Sequence, residues 1–171
     1  ITGWTGGTPY TFDTATSDSD PGSGDFRFNS ATFASVSKIY IDNDDADGNT
    51  QTAWYATWDD SSSTIEGVII IQSADGSDTS YASMQVTGVA SATGYYKIDV
   101  TPLVGSGNPP FANGERVTLE FNRTGDKGST GPTGGVGPAG PAGPVGPAGG
   151  TGGTGGTGGT GGTGGTGGTG G

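Results

Sequence analysis

The acidic side chains are most crowded between residues 42 and 48, where the sequence reads Asp-Asn-Asp-Asp-Ala-Asp-Gly. Hard cations such as Ca²⁺ prefer oxygen ligands of this kind. Aligned on Gly48, the run fills the first three ligand positions of an EF-hand, but the twelfth position is Trp54 instead of a bidentate Glu. A solvated acidic turn and a calcium site of another type are therefore the two interpretations. If it is a calcium site, the predicted ligands are Asp42, Asp44, Asp45 and Asp47.

The second group of candidate functional residues is aromatic and comprises Trp54, Tyr55 and Trp58. They lie in a segment, residues 52–58, that is predicted to be a strand. In a strand, the even separation would place Trp54 and Trp58 on one face and Tyr55 on the other. One such face is expected to serve core packing or subunit contact. The alternative function is to stack sugar rings at a recognition surface.

Composition excludes several classes of function. The 171 residues include no His and no Cys, which removes Ser-His-Asp and Cys-His catalysis, disulfides and thiolate metal sites. A net charge of −11 repels nucleic acid phosphates. No apolar run is long enough to span a membrane. The positions of the acidic residues in the sequence give no support for a catalytic pair of carboxylates as in glycosidases. The chain is predicted not to be an enzyme and to need no cofactor, Ca²⁺ being the one candidate.

Residues 9–124 alternate short strand patterns with turn signals. The apolar residues of Lys38–Asp42 and Val117–Phe121 recur at every second position, so each segment has one face directed to a core. Sequences such as Asp47-Gly48 and Asn113-Gly114 supply tight turns. The pattern predicts an all-β domain, a sandwich or small barrel of about eight strands. The predicted strands are residues 10–12, 25–28, 36–42, 52–58, 64–72, 81–86, 95–101 and 116–121.

Glycine recurs at every third residue from Gly125 to Gly170, without interruption over sixteen positions. Three polyproline II strands wound together leave room only for hydrogen at their common axis, so this phase predicts a collagen-like homotrimer with two further identical chains. A flexible linker is the alternative, but a linker needs no fixed phase. The predicted axial glycines are Gly125, Gly128, Gly131, Gly134, Gly137, Gly140, Gly143, Gly146, Gly149, Gly152, Gly155, Gly158, Gly161, Gly164, Gly167 and Gly170.

The tract has two parts. Residues 125–148 carry five prolines directly after an axial glycine, which lowers the entropy lost on ordering, whereas residues 149–171 repeat Gly-Gly-Thr. The repeat is expected to continue the triple helix with less stability per triplet. A laterally bonded polyglycine bundle and an ice-contacting threonine array are the alternatives. Residues 1–8 also read as the last triplets of an earlier Gly-X-Y tract, in which case the chain is a piece of a longer fibre.

Three parts of the sequence resemble the small β domains beside collagen-like repeats: residues 93–100, which begin Thr93-Gly94-Tyr95-Tyr96, residues 113–117, and Phe121 with Arg123-Thr124-Gly125-Asp126-Lys127-Gly128. Such domains occur in bacteriophage tail fibres and in collagen-like surface proteins of bacteria, particularly cyanobacteria. The resemblance implies a homotrimeric structural fibre that is extracellular or part of a virion, and not cytoplasmic. A bacterial filament or adhesin subunit, or a glycan-binding module on a stalk, is the alternative function. The resemblance carries over no catalytic residue.

Overall fold

The computed structural model of the chain describes residues 6–159. This part divides into two units, one that extends to Thr130 and one that begins at Gly131. The first unit contains all the helices and strands of the described residues. Its last strand ends at Arg123, so residues 124–130 leave the sheet but still belong to the first unit.

Seven strands close into a barrel in the order β1-β2-β3-β6-β5-β4-β7, with β7 returning to β1. The predicted all-β class is confirmed, and of the two predicted architectures the barrel is the one observed. Seven of the eight predicted strand segments overlap observed strands. The strands are β1 (Thr8–Asp13), β2 (Asp25–Phe28), β3 (Lys38–Asp42), β4 (Gly67–Ser73), β5 (Tyr81–Ser91), β6 (Tyr95–Gly105) and β7 (Glu115–Arg123).

The β4 strand shows how side-chain alternation builds this barrel. Ile69 and Ile71 point inward and are fully buried, whereas Val68 and Ile70 between them are only half-buried. Branched side chains suit a pleated surface that is covered on one face. Gly67 begins the strand where a Cβ atom would lie only 2.4 Å from the Phe121 ring of β7, so the absence of a side chain lets the two strands approach.

The first and last strands close the barrel. β1 runs antiparallel to β7, with Thr8 opposite Leu119, and parallel to β2, with Phe12 opposite Phe26. Because β7 continues to Arg123 beyond the Thr8 pairing, the chain enters and leaves the barrel at the same end, on neighbouring strands.

Aromatic rings fill much of the interior. Phe12 contacts Phe26, Phe28 and Phe111 at centroid distances of 5.0–5.7 Å. Isoleucines from β3, β4 and β6 complete the core with no exposed surface: Ile39, Ile41, Ile69, Ile71 and Ile98. A closed barrel has no free strand edges, so the sheet itself is protected from edge-to-edge aggregation.

The predicted strand at residues 52–58 is wrong. Thr52–Tyr55 is a short α-helix, α1, and hydrogen bonds from Thr57 N–H to Trp54 and from Trp58 N–H to Tyr55 continue the helical turns. A four-residue separation is even, which fits a strand face, but it also places two side chains on one face of a helix. The sequence pattern therefore had two solutions, and packing against the barrel selects the helical one.

The second unit, as far as residue 159, has no helix and no strand, and its side chains are exposed. Its glycines have no atom within 4 Å of an added Cβ, whether they are predicted axial positions or not. The triple helix is a property of three chains, so that part of the fold prediction stays a prediction. The predicted axial glycines Gly161, Gly164, Gly167 and Gly170 lie outside the described residues, as do residues 1–5 of the predicted preceding tract.

Candidate functional surfaces

The acidic turn directly follows β3, and Asp45 lies at its centre with only 4% of its surface exposed. Its carboxylate accepts backbone N–H hydrogen bonds from Asp47 and Asn49, both at 2.9 Å. The Asn49 side chain donates to both Asp45 oxygens, and the Gln51 amide donates at 2.8 Å. Burial would raise the pKa of Asp45, but these donors together hold it below its ordinary value. The buried Asp45 carboxylate therefore holds Asp47, Asn49 and Gln51 of the turn together by hydrogen bonds.

The other carboxylates of the turn have separate partners. Asp42 accepts the N–H of Asp44 at 2.9 Å and that of Gly24 at 3.3 Å, and burial raises its pKa. Asp44 accepts the Thr50 hydroxyl at 2.7 Å. Asp47 forms an ion pair with Arg116 of β7. Each carboxylate is thus engaged by protein donors of its own.

Among residues 6–159, no group of three or more His, Cys, Asp or Glu side chains is placed to hold a metal ion. The four aspartates of the predicted calcium site lie in one turn. Their carboxylate oxygens accept hydrogen bonds from, or form ion pairs with, protein groups. Calcium binding stays a prediction. The alternative of a solvated acidic turn fits Asp47, which is exposed, but not Asp42 and Asp45, which are only 7% and 4% exposed.

The aromatic group lies on α1 and the turn after it. Tyr55 and Trp58 have no exposed surface, while Trp54 packs against the core in a partly buried position. Trp58 stacks on Phe121 at 4.5 Å and meets Tyr55 edge-on at 5.3 Å. The core interpretation is confirmed for Tyr55 and Trp58, and neither ring has a face on which a sugar could stack. The predicted placement of Tyr55 on the opposite face is wrong, because Tyr55 on α1 and Trp58 on the turn after it are both directed into the core. Trp4 lies outside the described residues.

Beneath α1, the hydroxyl groups of Tyr10 and Tyr55 are hydrogen-bonded to each other. Tyr55 also donates to the Asp42 carbonyl at 3.1 Å. Burial raises the pKa of both phenols far above the ordinary value, so both stay neutral. The pair ties β1 and α1 to the end of β3 and supplies no group poised for proton transfer near pH 7.

The chain is fastened to the loop before β4 where it leaves the barrel. The Lys127 N–H donates to the Ser62 hydroxyl at 2.8 Å, and the Ser62 N–H donates to the Asp126 carboxylate at 3.2 Å. Arg123 donates to the Asp60 carbonyl at 2.6 Å and to the Asp126 carboxylate at 3.1 Å. These contacts, hereafter the exit clamp, hold the first Gly-X-Y triplet against the barrel. The sequence offered only the Arg123–Asp126 pair as a signal, since Asp60 and Ser62 lie more than sixty residues away along the chain.

A small cavity of about 200 Å³ lies near the ends of β1 and β2, away from the exit clamp. Its wall is mainly apolar and includes Phe12, Phe28 and Pro109. Both phenylalanines are almost completely buried, so they offer little exposed ring surface to a ligand. The polar contributions come from Thr14 and Ser30.

Comparison with known protein families, characterised proteins and solved structures found no match to this chain. In the described residues, no helix is long and apolar enough to cross a membrane.

Proposed function

We propose that this chain is a structural subunit of an extracellular or virion fibre, such as a bacteriophage tail fibre, and has no catalytic role. In this proposal three copies wind their Gly-X-Y tracts into one collagen-like rod, and each copy carries a β barrel. The rod would be about 140 Å long at roughly 3.1 Å per residue. The observation that carries the proposal is the unbroken glycine phase from Gly125 to Gly170.

The tract of one chain supports this proposal because, in residues 131–159, it forms no contacts of its own that would need regularly spaced glycines. Residues 131–159 form no helix or strand and bury no side chain. Backbone groups in such a segment bond either to water or to other chains. Between residues 125 and 159, an added Cβ at any glycine meets no atom of a residue other than its chain neighbours within 4 Å, so contacts within one chain do not require glycine at every third position there. A steric reason for the phase must come from neighbouring chains, as in a triple helix.

The barrel and exit clamp support the same architecture. The start of β1 and the end of β7 lie at one end of the barrel, on neighbouring strands. The exit clamp fixes the direction in which the first triplet leaves. A mechanical role of this kind needs a rigid domain on a stiff rod and no reactive group.

The test compares two adjacent glycines that only the phase distinguishes. In the register of Gly125, Gly152 is axial and Gly153 occupies the outward second position, although both lie in Gly-Gly-Thr. Within one chain neither substitution meets a neighbour. In a triple helix, Gly152→Ala forces three methyl groups into the axis and lowers the melting temperature, whereas Gly153→Ala is neutral.

The measurement is thermal melting of the full chain by circular dichroism, with light scattering for mass. A trimer that melts cooperatively, with Gly152→Ala distinctly less stable than Gly153→Ala, supports the proposal. A monomer with a folded barrel refutes it. Equal effects at the two positions would restrict the triple helix to the proline-containing part. Gly134→Ala and Gly135→Ala repeat the comparison there, since Gly134 is axial and Gly135 is not. Electron microscopy of the native assembly then tests the fibre and its attachment.

A further inference from the structure

The outer face of β4, β5 and the second half of β6 differs from the rest of the barrel in having no charge. The β4 and β5 strands contain no charged residue, and β6 contains none after Asp99. Cross-strand pairing sets their outward side chains side by side in rows, such as Ile70, Ser83 and Val104. This neutral face comprises Val68, Ile70, Gln72, Tyr81, Ser83, Gln85, Thr101, Leu103 and Val104.

The neutral face also holds the exposed apolar surface of the barrel. Leu103 is 52% exposed, Val104 49% and Tyr81 38%, and within residues 6–130 these are the exposed large hydrophobic side chains. A β-bulge near Met84 and Pro102 turns Leu103 outward beside Val104. Scattered apolar residues on a surface are ordinary, but a contiguous group on an uncharged strip marks an interaction site.

We propose that the neutral face is where the three barrels of one fibre contact each other. This inference rests on the proposed trimer. The exit clamp keeps each barrel beside the start of its tract, so three barrels on one triple helix are held close together. Tethering of this kind raises the effective concentration to the millimolar range, about what a weak contact of modest area needs.

The charge of the barrel favours the neutral face as the surface of contact between barrels. Each chain has a net charge of −11, and the tract from residue 125 onward contributes one acidic and one basic residue to it. Contact through an uncharged surface keeps the repulsion between three barrels of the same net charge small. The neutral face runs along the barrel from Val68, near the exit, to Tyr81 and Val104. The occupant proposed for the neutral face is a second copy of this chain, with the β6 side of the face in one copy against the β4 side in the next.

The experiment uses single thiols, because the native chain has no cysteine. Val104→Cys introduces one on the neutral face, and Thr16→Cys introduces one on the exposed loop between β1 and β2. Each is made in the full chain, and again with Gly140→Asp and Gly143→Asp to prevent triple-helix formation. Circular dichroism verifies the barrel, light scattering gives the mass, and the rate of reaction with a bulky maleimide reports accessibility.

We expect the Val104→Cys thiol to react at least about tenfold more slowly in the trimer than in the monomeric comparator, as buried interface positions react only after local opening. The Thr16→Cys thiol reacts equally fast in both. If the chain is a trimer but both thiols react at comparator rates, the neutral face is not the contact, while the fibre proposal stands. If the full chain is monomeric, the fibre proposal fails and this inference fails with it.

Discussion

Replacing Asp45 with Asn tests whether the acidic turn is a structural element held together by one carboxylate. Asparagine keeps an oxygen that can accept the backbone N–H groups of Asp47 and Asn49. It places an amide nitrogen where the Gln51 side chain now donates at 2.8 Å. A hydrogen bond to a charged group contributes about 1.5–3 kcal/mol. The loss of the charge and of the Gln51 contact is therefore expected to lower the free energy of unfolding by roughly 2–3 kcal/mol.

For a domain of about 120 residues, each kcal/mol lowers the melting temperature by roughly 4 °C, so Asp45→Asn should melt about 8–12 °C below wild type at pH 7. The neighbouring Asp44→Asn is the control. The Asp44 carboxylate accepts one side-chain bond, from Thr50, so its loss should change stability by no more than about 0.5 kcal/mol.

The pH dependence gives a second readout. Because the folded-state pKa of Asp45 is below its ordinary value of 3.8, the unfolded chain takes up this proton first as the pH falls. The stabilisation is therefore complete above pH 3.8 and is lost as the pH falls through the folded-state pKa. The difference in melting temperature between wild type and Asp45→Asn should therefore shrink as the pH is lowered from 7 to below 3.8. Similar melting temperatures for Asp45→Asn and Asp44→Asn at pH 7 would refute the structural account of the turn.

Three further outcomes are expected. Gly67→Ala brings a methyl group to 2.4 Å from the Phe121 ring and should destabilise the barrel by several kcal/mol. The control is Gly88→Ala, which should be nearly neutral because the nearest atom to its methyl group is an Asp99 oxygen at 3.4 Å. Urea unfolding measures both changes in stability. Trp58→Ala should cost about 3–5 kcal/mol because it empties a fully buried site. Trp58→Phe should cost clearly less, since the indole N–H has no hydrogen-bond partner; equal losses would contradict this. If the aspartates of the turn bind calcium, millimolar Ca²⁺ should raise the melting temperature by several degrees relative to chelator, and an unchanged melting temperature would leave only the acidic-turn alternative.

Local signals allowed most of the barrel strands to be predicted. Alternation in β3 and β7 and the Gly-containing turns between strands follow from backbone geometry that neighbouring residues decide among themselves. The exception was residues 52–58, where the Trp54 and Trp58 spacing fits both a strand and a helix. The contact of Trp58 with Phe121, which lies far along the chain, separated these solutions.

The roles of the acidic residues show the same limit. The sequence revealed the concentration of aspartates after β3 but not which of them would be buried. One of the two donors to Asp42 is Gly24, and the ion-pair partner of Asp47 is Arg116, both on distant segments. A metal site and a satisfied structural turn share this composition, and they differ only in where other donors arrive.

The sequence by itself determined the glycine phase of the tract, the absence of His and Cys, and the all-β class, because each depends on residue identity or on short-range spacing. Only the tertiary structure decided that the strands close into a barrel, that Tyr55 and Trp58 are buried, and that both connections lie at one end. It alone joined the uncharged strands into one outward face. These features depend on strand pairing between segments remote in sequence, such as Thr8 with Leu119, which a closed sheet fixes and no local pattern encodes.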